Sequence, residues 1–125
     1  MTEGVFGYRD LDVWKLAVDW VEAVYRATSN WPSEERFGLT SQLRRAAVSV
    51  ASNIAEGAAR RSTGEFLQFI GMARGSLAEA ETQLLIASRL GYLDATRTEA
   101  LLAAADRISR MLVSLAASLK RRKDS

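Results

Sequence analysis

The chain has no cysteine, no histidine and a single proline among its 125 residues. Without thiols there is no disulfide, no thiolate metal site and no cysteine nucleophile. The composition suits a reducing compartment, so a cytoplasmic location is expected. Without histidine, the commonest metal ligand and the usual general base near neutral pH are both missing. That excludes the Glu-x-x-His di-iron bundles and the zinc protease and zinc deaminase patterns. No metal, no cofactor and no enzymatic activity are expected. Long apolar runs are scarce as well. The central uncharged run, Ala46 to Ala55, is far short of the roughly 18 residues that suggest a membrane span. The start, Met1-Thr2-Glu3-Gly4, shows no basic segment leading into an apolar run, so no secretory leader is expected.

What is present reads as one globular domain over 1–125. Apolar residues make up 48% and charged residues 26%, the range of a chain that buries a core. The net charge is only +2, and its excess sits at one end, in Lys120, Arg121, Arg122 and Lys123. Removing residues 120–125 takes away four basic groups and one acid, which leaves 13 basic against 14 acidic. The body is thus near neutral and the tail is basic. Such a tail suits anion contact; it equally suits a solvated helix end, where the helix dipole favours cations.

The pattern is helical throughout. The first helix is predicted over 11–29, with Asp10 as N-cap and Trp14, Val18, Val21, Tyr25 and Thr28 at three- and four-residue steps. Asn30-Trp31-Pro32-Ser33 ends it, and a short turn of helix is placed over 33–37 before Gly38. The second is predicted over 40–59, on a stripe of Leu43, Ala47, Val50 and Ile54. The third, 64–90, is capped by Thr63 or Ser62, carries Phe66, Ile70, Ala73, Leu77, Ala80, Leu84 and Ala87, and stops at Gly91. The fourth, 95–120, is capped by Asp94 or Thr98 and carries Leu101, Ala105, Ile108, Leu112, Leu115 and Leu119. No segment alternates with period two. Four long helices on short loops predict an all-α, antiparallel up-down-up-down four-helix bundle.

The second helix is richer in apolar residues than one core face needs. Eight of the thirteen residues 43–55 are apolar, against about three in seven for a bundle helix. Ala47, Ala51, Ala55 and Ala59 recur every four residues, as do Gly71 and Gly75 on the third helix. Small residues at this spacing bring backbones close, either inside the bundle or between subunits. Trp20, Trp31 and Tyr92 add to the second reading. Asn53 and Glu56 lie near the end of this stretch, Glu56 one turn from Arg60, with Arg45 on the same helix, so Glu56 is expected to pair with an arginine, in its own chain or across an interface.

Catalytic constellations are missing. Glu79 and Glu81 diverge by about 200° around their helix and cannot form one carboxylate pair. Gly75-Ser76 lacks the frame of a nucleophile elbow, and no glycine run forms a phosphate loop. One anion site stands out. Arg60 and Arg61, followed by Ser62 and Thr63, lead into a helix N-terminus, whose free N–H groups favour phosphate or carboxylate. Hydroxyl capping and solvation explain the same residues. Of the 17 basic residues 14 are arginine, the side chain suited to bidentate phosphate contacts. A helix-turn-helix is excluded, because the helices flanking the corner are too long and would hide a recognition helix.

At the second and third helices the chain resembles a known family. The run Phe37-Gly38-Leu39-Thr40-Ser41-Gln42-Leu43-Arg44-Arg45-Ala46-Ala47-Val48, continued by Asn53-Ile54-Ala55-Glu56-Gly57, is similar to the bacterial four-helix bundle family also called 23S ribosomal RNA intervening-sequence proteins. So are Phe66, Ala73-Arg74-Gly75-Ser76-Leu77, Glu79 and Glu81-Thr82-Gln83-Leu84. Asp10-Leu11, Val13-Trp14, Gly91-Tyr92-Leu93 and Met111-Leu112 extend the likeness over about 8–119. Ala51 stands where relatives often have proline, and Ala80 where a larger apolar residue is common. The resemblance implies a homopentameric ring without known enzymatic activity. It also implies kinship with the accessory variability determinant of diversity-generating retroelements, which binds nucleic acid and a reverse transcriptase through a basic surface.

The expected function is therefore a non-enzymatic oligomeric accessory protein that contacts RNA or DNA through Arg60, Arg61, Lys120, Arg121, Arg122 and Lys123. Arg45, Asn53 and Glu56 are the candidate structural or interface polar residues. The alternative is a scaffold for a protein partner with no nucleic-acid role.

Overall fold

A helix with apolar residues every three to four positions must bury that stripe, and four such helices bury theirs against one another. The computed structural model describes residues 7–124, and its four long helices are α1 (Asp12–Ala27), α2 (Leu39–Ala58), α3 (Thr63–Arg89) and α4 (Ala95–Asp124). Short 3-10 turns over Tyr8–Asp10 and Ser33–Glu35 precede α1 and α2. No strand occurs among the described residues. The fold class is the expected four-helix bundle.

Long-range contacts fix the helix directions. Arg44 on α2 reaches Thr28 beyond the end of α1, whereas Val48 and Ala51 share a groove with Val18 and Val21, so α1 and α2 run oppositely. Ser49 meets Ser76, and Gly57 meets Phe66 and Phe69, which makes α2 and α3 antiparallel. Trp20 reaches Leu101, while Leu11 and Val13 share a groove with Met111 and Leu115. Hence α4 opposes α1, and the bundle runs up-down-up-down.

Local chemistry sets the helix ends. Ser62 caps α3: its Oγ accepts from the Glu65 N–H at 3.1 Å and donates to Glu65 Oε1 at 3.2 Å, a reciprocal pairing like the capping box. Gly91, at φ 81°, closes α3 with its N–H on Ser88 O and the Tyr92 N–H on Ala87 O, the Schellman pattern that favours glycine. Asp94 caps α4, with Oδ1 accepting from the Arg97 N–H at 2.8 Å. The N-cap position of α1 falls on Leu11 and not on the expected Asp10, whose side chain lies outside the described residues. Asp10 ends the first 3-10 turn, and Leu11 makes no side-chain cap bond.

The core follows the predicted stripes on α2, α3 and α4, with Phe66 and Leu115 only partly buried. On α1 the stripe is displaced. Val13, Ala17, Trp20, Val24 and Ala27 are buried, whereas Val18 and Tyr25 are about 40% exposed, at 39% and 42%. Both rows are apolar and spaced for a helix; the one that meets α4 becomes core. The aromatics expected at an interface also lie inside the chain. Trp20 is buried and donates Nε1–H to Leu101 O at 3.1 Å, and Trp31 packs on Tyr92 at 5.8 Å between ring centres.

The small residues divide in two. At Gly57 an added Cβ would lie 2.6 Å from Phe69 Cβ and 3.0 Å from Phe66 Cδ1. This glycine allows α2 and α3 to close on each other. Gly71 and Gly75 are exposed, with nothing within 4 Å of an added Cβ. They make no close packing inside the bundle.

Candidate functional site

The end of α2, the start of α3 and the last turns of α4 meet at one end of the bundle. There Leu11, Ala58, Phe66, Leu115 and Leu119 form the apolar floor of a cleft of about 610 Å³. Arg60, Arg61 and Arg122 line it, with Ser62 and Thr63 and with Gly7. The α2–α3 corner and the basic tail, separate features in the sequence, are thereby one place.

Helix periodicity explains which tail residues take part. The expected tail is not an appendage: α4 continues as helix to Asp124. Leu115, Leu119 and Arg122 are four and three residues apart and share one face, so the stripe that fills the core continues past its end and delivers a guanidinium to the cleft. Lys120 and Arg121 are exposed and lie outside the cleft lining. Lys123 belongs to the helix, and its side chain lies outside the described residues.

Among the described residues the cleft lining has three guanidinium groups and no carboxylate. Arg60 is held by Glu56 at 3.5 Å and lies over the Phe69 ring, 4.8 Å from its centre. Arg61 is exposed and makes no hydrogen bond or ion pair among the described residues. The Glu65 N–H goes to Ser62 Oγ, whereas the N–H groups of Thr63 and Gly64, at the opening of the helix, have no intrahelical acceptor. Positive charge, a helix N-terminus and an apolar floor coincide here. That combination suits a ligand with an anionic end and an apolar or flat body.

The second group of predicted residues is arranged otherwise than expected. Glu56 does pair with an arginine of its own chain, Arg60, but both side chains are exposed, at 59% and 43%. A solvated pair one helical turn apart is worth roughly 0.3–0.5 kcal/mol, so Glu56 is no buried charge in need of rescue. Arg45 is exposed and stands apart from that pair. Asn53 is buried and has no arginine partner. Its Nδ2 donates to Ser49 O and Ser49 Oγ, both at 2.9 Å, and Ser49 Oγ meets Ser76 Oγ at 2.9 Å. These three residues make a neutral polar bridge between α2 and α3.

Sequence reasoning missed the floor of the cleft. Phe66, Leu115 and Leu119 looked like core, and Leu11 like a helix start. The available signal was that the stripes of α3 and α4 both reach the end of the bundle where the basic residues cluster. Elsewhere, Arg44 is committed to Thr28 Oγ1 at 2.8 Å and to the Tyr25 ring at 4.5 Å, and Arg110 to Asp106. Among the described residues no three His, Cys, Asp or Glu side chains gather as metal ligands. No helix of the structure is long and apolar enough to cross a membrane.

The bundle is similar to the crystal structure of a protein of unknown function from the S23 ribosomal protein family of Bacteroides thetaiotaomicron. The TM-score is 0.75 at 20% identity, over 83% of this chain and 97% of that one. At that identity the likeness concerns the fold. No functionally curated protein matches the chain. Residues 9–114 match the family described as 23S rRNA-intervening sequence protein, and the chain belongs to that family.

Proposed function

We propose that this protein is a non-enzymatic, cytoplasmic, self-associating bundle, a homopentamer, that serves as a nucleic-acid accessory protein. The observation that carries the reading is the convergence of Arg60, Arg61 and Arg122 on one cleft, with no carboxylate among the described residues that line it. In a near-neutral body this end is where an RNA or DNA phosphate finds three guanidinium groups beside a helix N-terminus.

Self-association is supported by apolar surface that the bundle leaves exposed. Val18, Tyr25, Val48 and Met72 are 39–53% exposed. An apolar groove between α1 and α2 is lined by Val18, Val21, Val48 and Ala51. Gly71 and Gly75 leave open backbone beside Met72 on α3. A symmetric assembly repeats the arginine cleft once per subunit, so several weak phosphate contacts act together.

Gel retardation with RNA and with DNA, from low to moderate salt, tests this reading. Retention at low salt that falls steeply as salt rises is expected, since each neutralised phosphate releases counterions. Absence of retention at low salt would sink it.

A second reading, a scaffold for a protein partner, draws on Phe37, which is 85% exposed on the α1–α2 connection. It predicts a copurifying protein and indifference to loss of residues 120–125.

A further inference from the structure

Phosphate alone does not account for the shape of the cleft. Arginines on a flat or convex surface serve a duplex backbone well, because the phosphates of a duplex lie on the outside of a cylinder and its bases are stacked within. Here the arginines rim a recess of about 610 Å³ whose floor is Leu11, Ala58, Phe66, Leu115 and Leu119. The volume lies within the range of small-molecule sites. A duplex bound at the rim would leave this apolar surface uncovered. A nucleotide whose base is unpaired and unstacked can place its phosphate among the arginines and its base against the floor.

We infer that the cleft binds an unpaired nucleotide of a single strand, its phosphate held by Arg61 and its neighbours and its base packed against Phe66. This deepens the proposed nucleic-acid function and rests on it. Phe66 is the one aromatic residue among the described residues of the lining. Its place is fixed by the close approach of α2 at Gly57, 3.0 Å from an added Cβ to Phe66 Cδ1. An aromatic face accepts any base, so recognition is by strand state and not by sequence. Among the described residues Arg61 has no ion-pair partner to give up on binding. Arg60 already lies over an aromatic ring, Phe69, and holds its charge beside the corner.

The test uses the full chain and fluorescence anisotropy at one low salt concentration, with a short labelled oligonucleotide offered as a single strand and as a blunt duplex. The single strand is expected to bind about tenfold more tightly, the size of one base–aromatic stack. Phe66→Leu, which keeps an apolar floor but removes the aromatic face, should bring the strand down towards the affinity of the duplex. Arg61→Ala should weaken both forms. A nucleoside monophosphate should displace the strand at concentrations where inorganic phosphate does not. Equal affinity of wild type for strand and duplex overturns the inference while leaving the nucleic-acid function standing. So does equal competition by phosphate and nucleotide. Binding of neither form overturns the underlying function and the inference with it. The wild-type comparison decides the matter even if Phe66→Leu folds poorly.

Discussion

Glu35 shows how much one side chain can hold. Its Oε1 accepts from the Leu39 N–H at 3.1 Å, where α2 has no side-chain cap of its own, and its Oε2 accepts from the Tyr92 hydroxyl at 2.9 Å. One carboxylate thus starts α2 and ties it to the turn between α3 and α4. Glu35→Ala is expected to cost about 1–2 kcal/mol in urea unfolding, since both a helix cap and a tertiary hydrogen bond go. The hydrogen bond to Glu35, together with burial and the charges of Glu35 and Glu34, raises the Tyr92 phenol above its usual range. Glu81 is a different case. Burial, and then the neighbouring charge of Asp106, raise its carboxyl above the usual range. A carboxyl raised on folding favours the native state in its protonated form. The stability it contributes is present at acid pH and lost as pH rises through the folded value. Glu81→Gln should therefore melt higher than wild type at pH 7, by less than about 1 kcal/mol because solvent screens the site. The gap should close as pH falls into the carboxylate range, as read by thermal melts across pH. Neither partnership was legible in sequence: Tyr92 is 57 residues from Glu35, and Asp106 stands on another helix.

At the scale of elements, the glycines separate by what they touch. Gly57→Ala would place a methyl 2.6 Å from Phe69 Cβ, which forces α2 and α3 apart. Overpacking of that kind costs about 1–3 kcal/mol, measurable as a lower urea midpoint, and it should disturb the Phe66 floor as well. Gly75→Ala meets nothing within 4 Å and removes a flexible residue from the middle of α3, so it should stabilise the isolated fold by about 0.5–1 kcal/mol. In the sequence both glycines sit on apparently helical stretches, and Gly75 looked the better candidate for close packing because Gly71 repeats it one turn away. Spacing cannot say which face a neighbour occupies. The same limit explains α1. Trp14, Val18, Val21 and Tyr25 form as good a stripe as Val13, Ala17, Trp20 and Val24, and the choice was made by where α4 lies. On α4 the periodicity was unambiguous, and its extension through the tail placed Arg122 on the cleft.

For the whole molecule, the surface that remains apolar carries the assembly proposal. Light scattering on a sizing column should give about five times the 13.8 kDa chain mass. Gly75→Ala is informative here because its two effects oppose. It should raise the stability of the fold, yet lower the assembled mass if the open face of α3 is where subunits meet. An unchanged mass would remove that face from the interface. A clean monomer in wild type would leave Val18, Tyr25 and Met72 without a partner and would sink the pentamer.

The sequence by itself determined that the chain is helical, that it has four helices on short loops, and which rows of α2, α3 and α4 are core. Those facts follow from local physics: a 3.6-residue period, hydroxyl and carboxylate caps, and a glycine at positive φ are written within a few residues of where they act. The lack of histidine and cysteine was equally readable and narrowed the chemistry before any fold was known. Tertiary structure alone decided which of two stripes on α1 is buried, that Glu56 is solvated, that Ser49 beside Asn53 meets Ser76 of α3, and that Arg60, Arg61 and Arg122 share one cleft. These are matters of which helix lies beside which, and the meeting of residues more than 50 positions apart on one cleft, such as Arg60 and Arg122, has no imprint in the spacing of either segment.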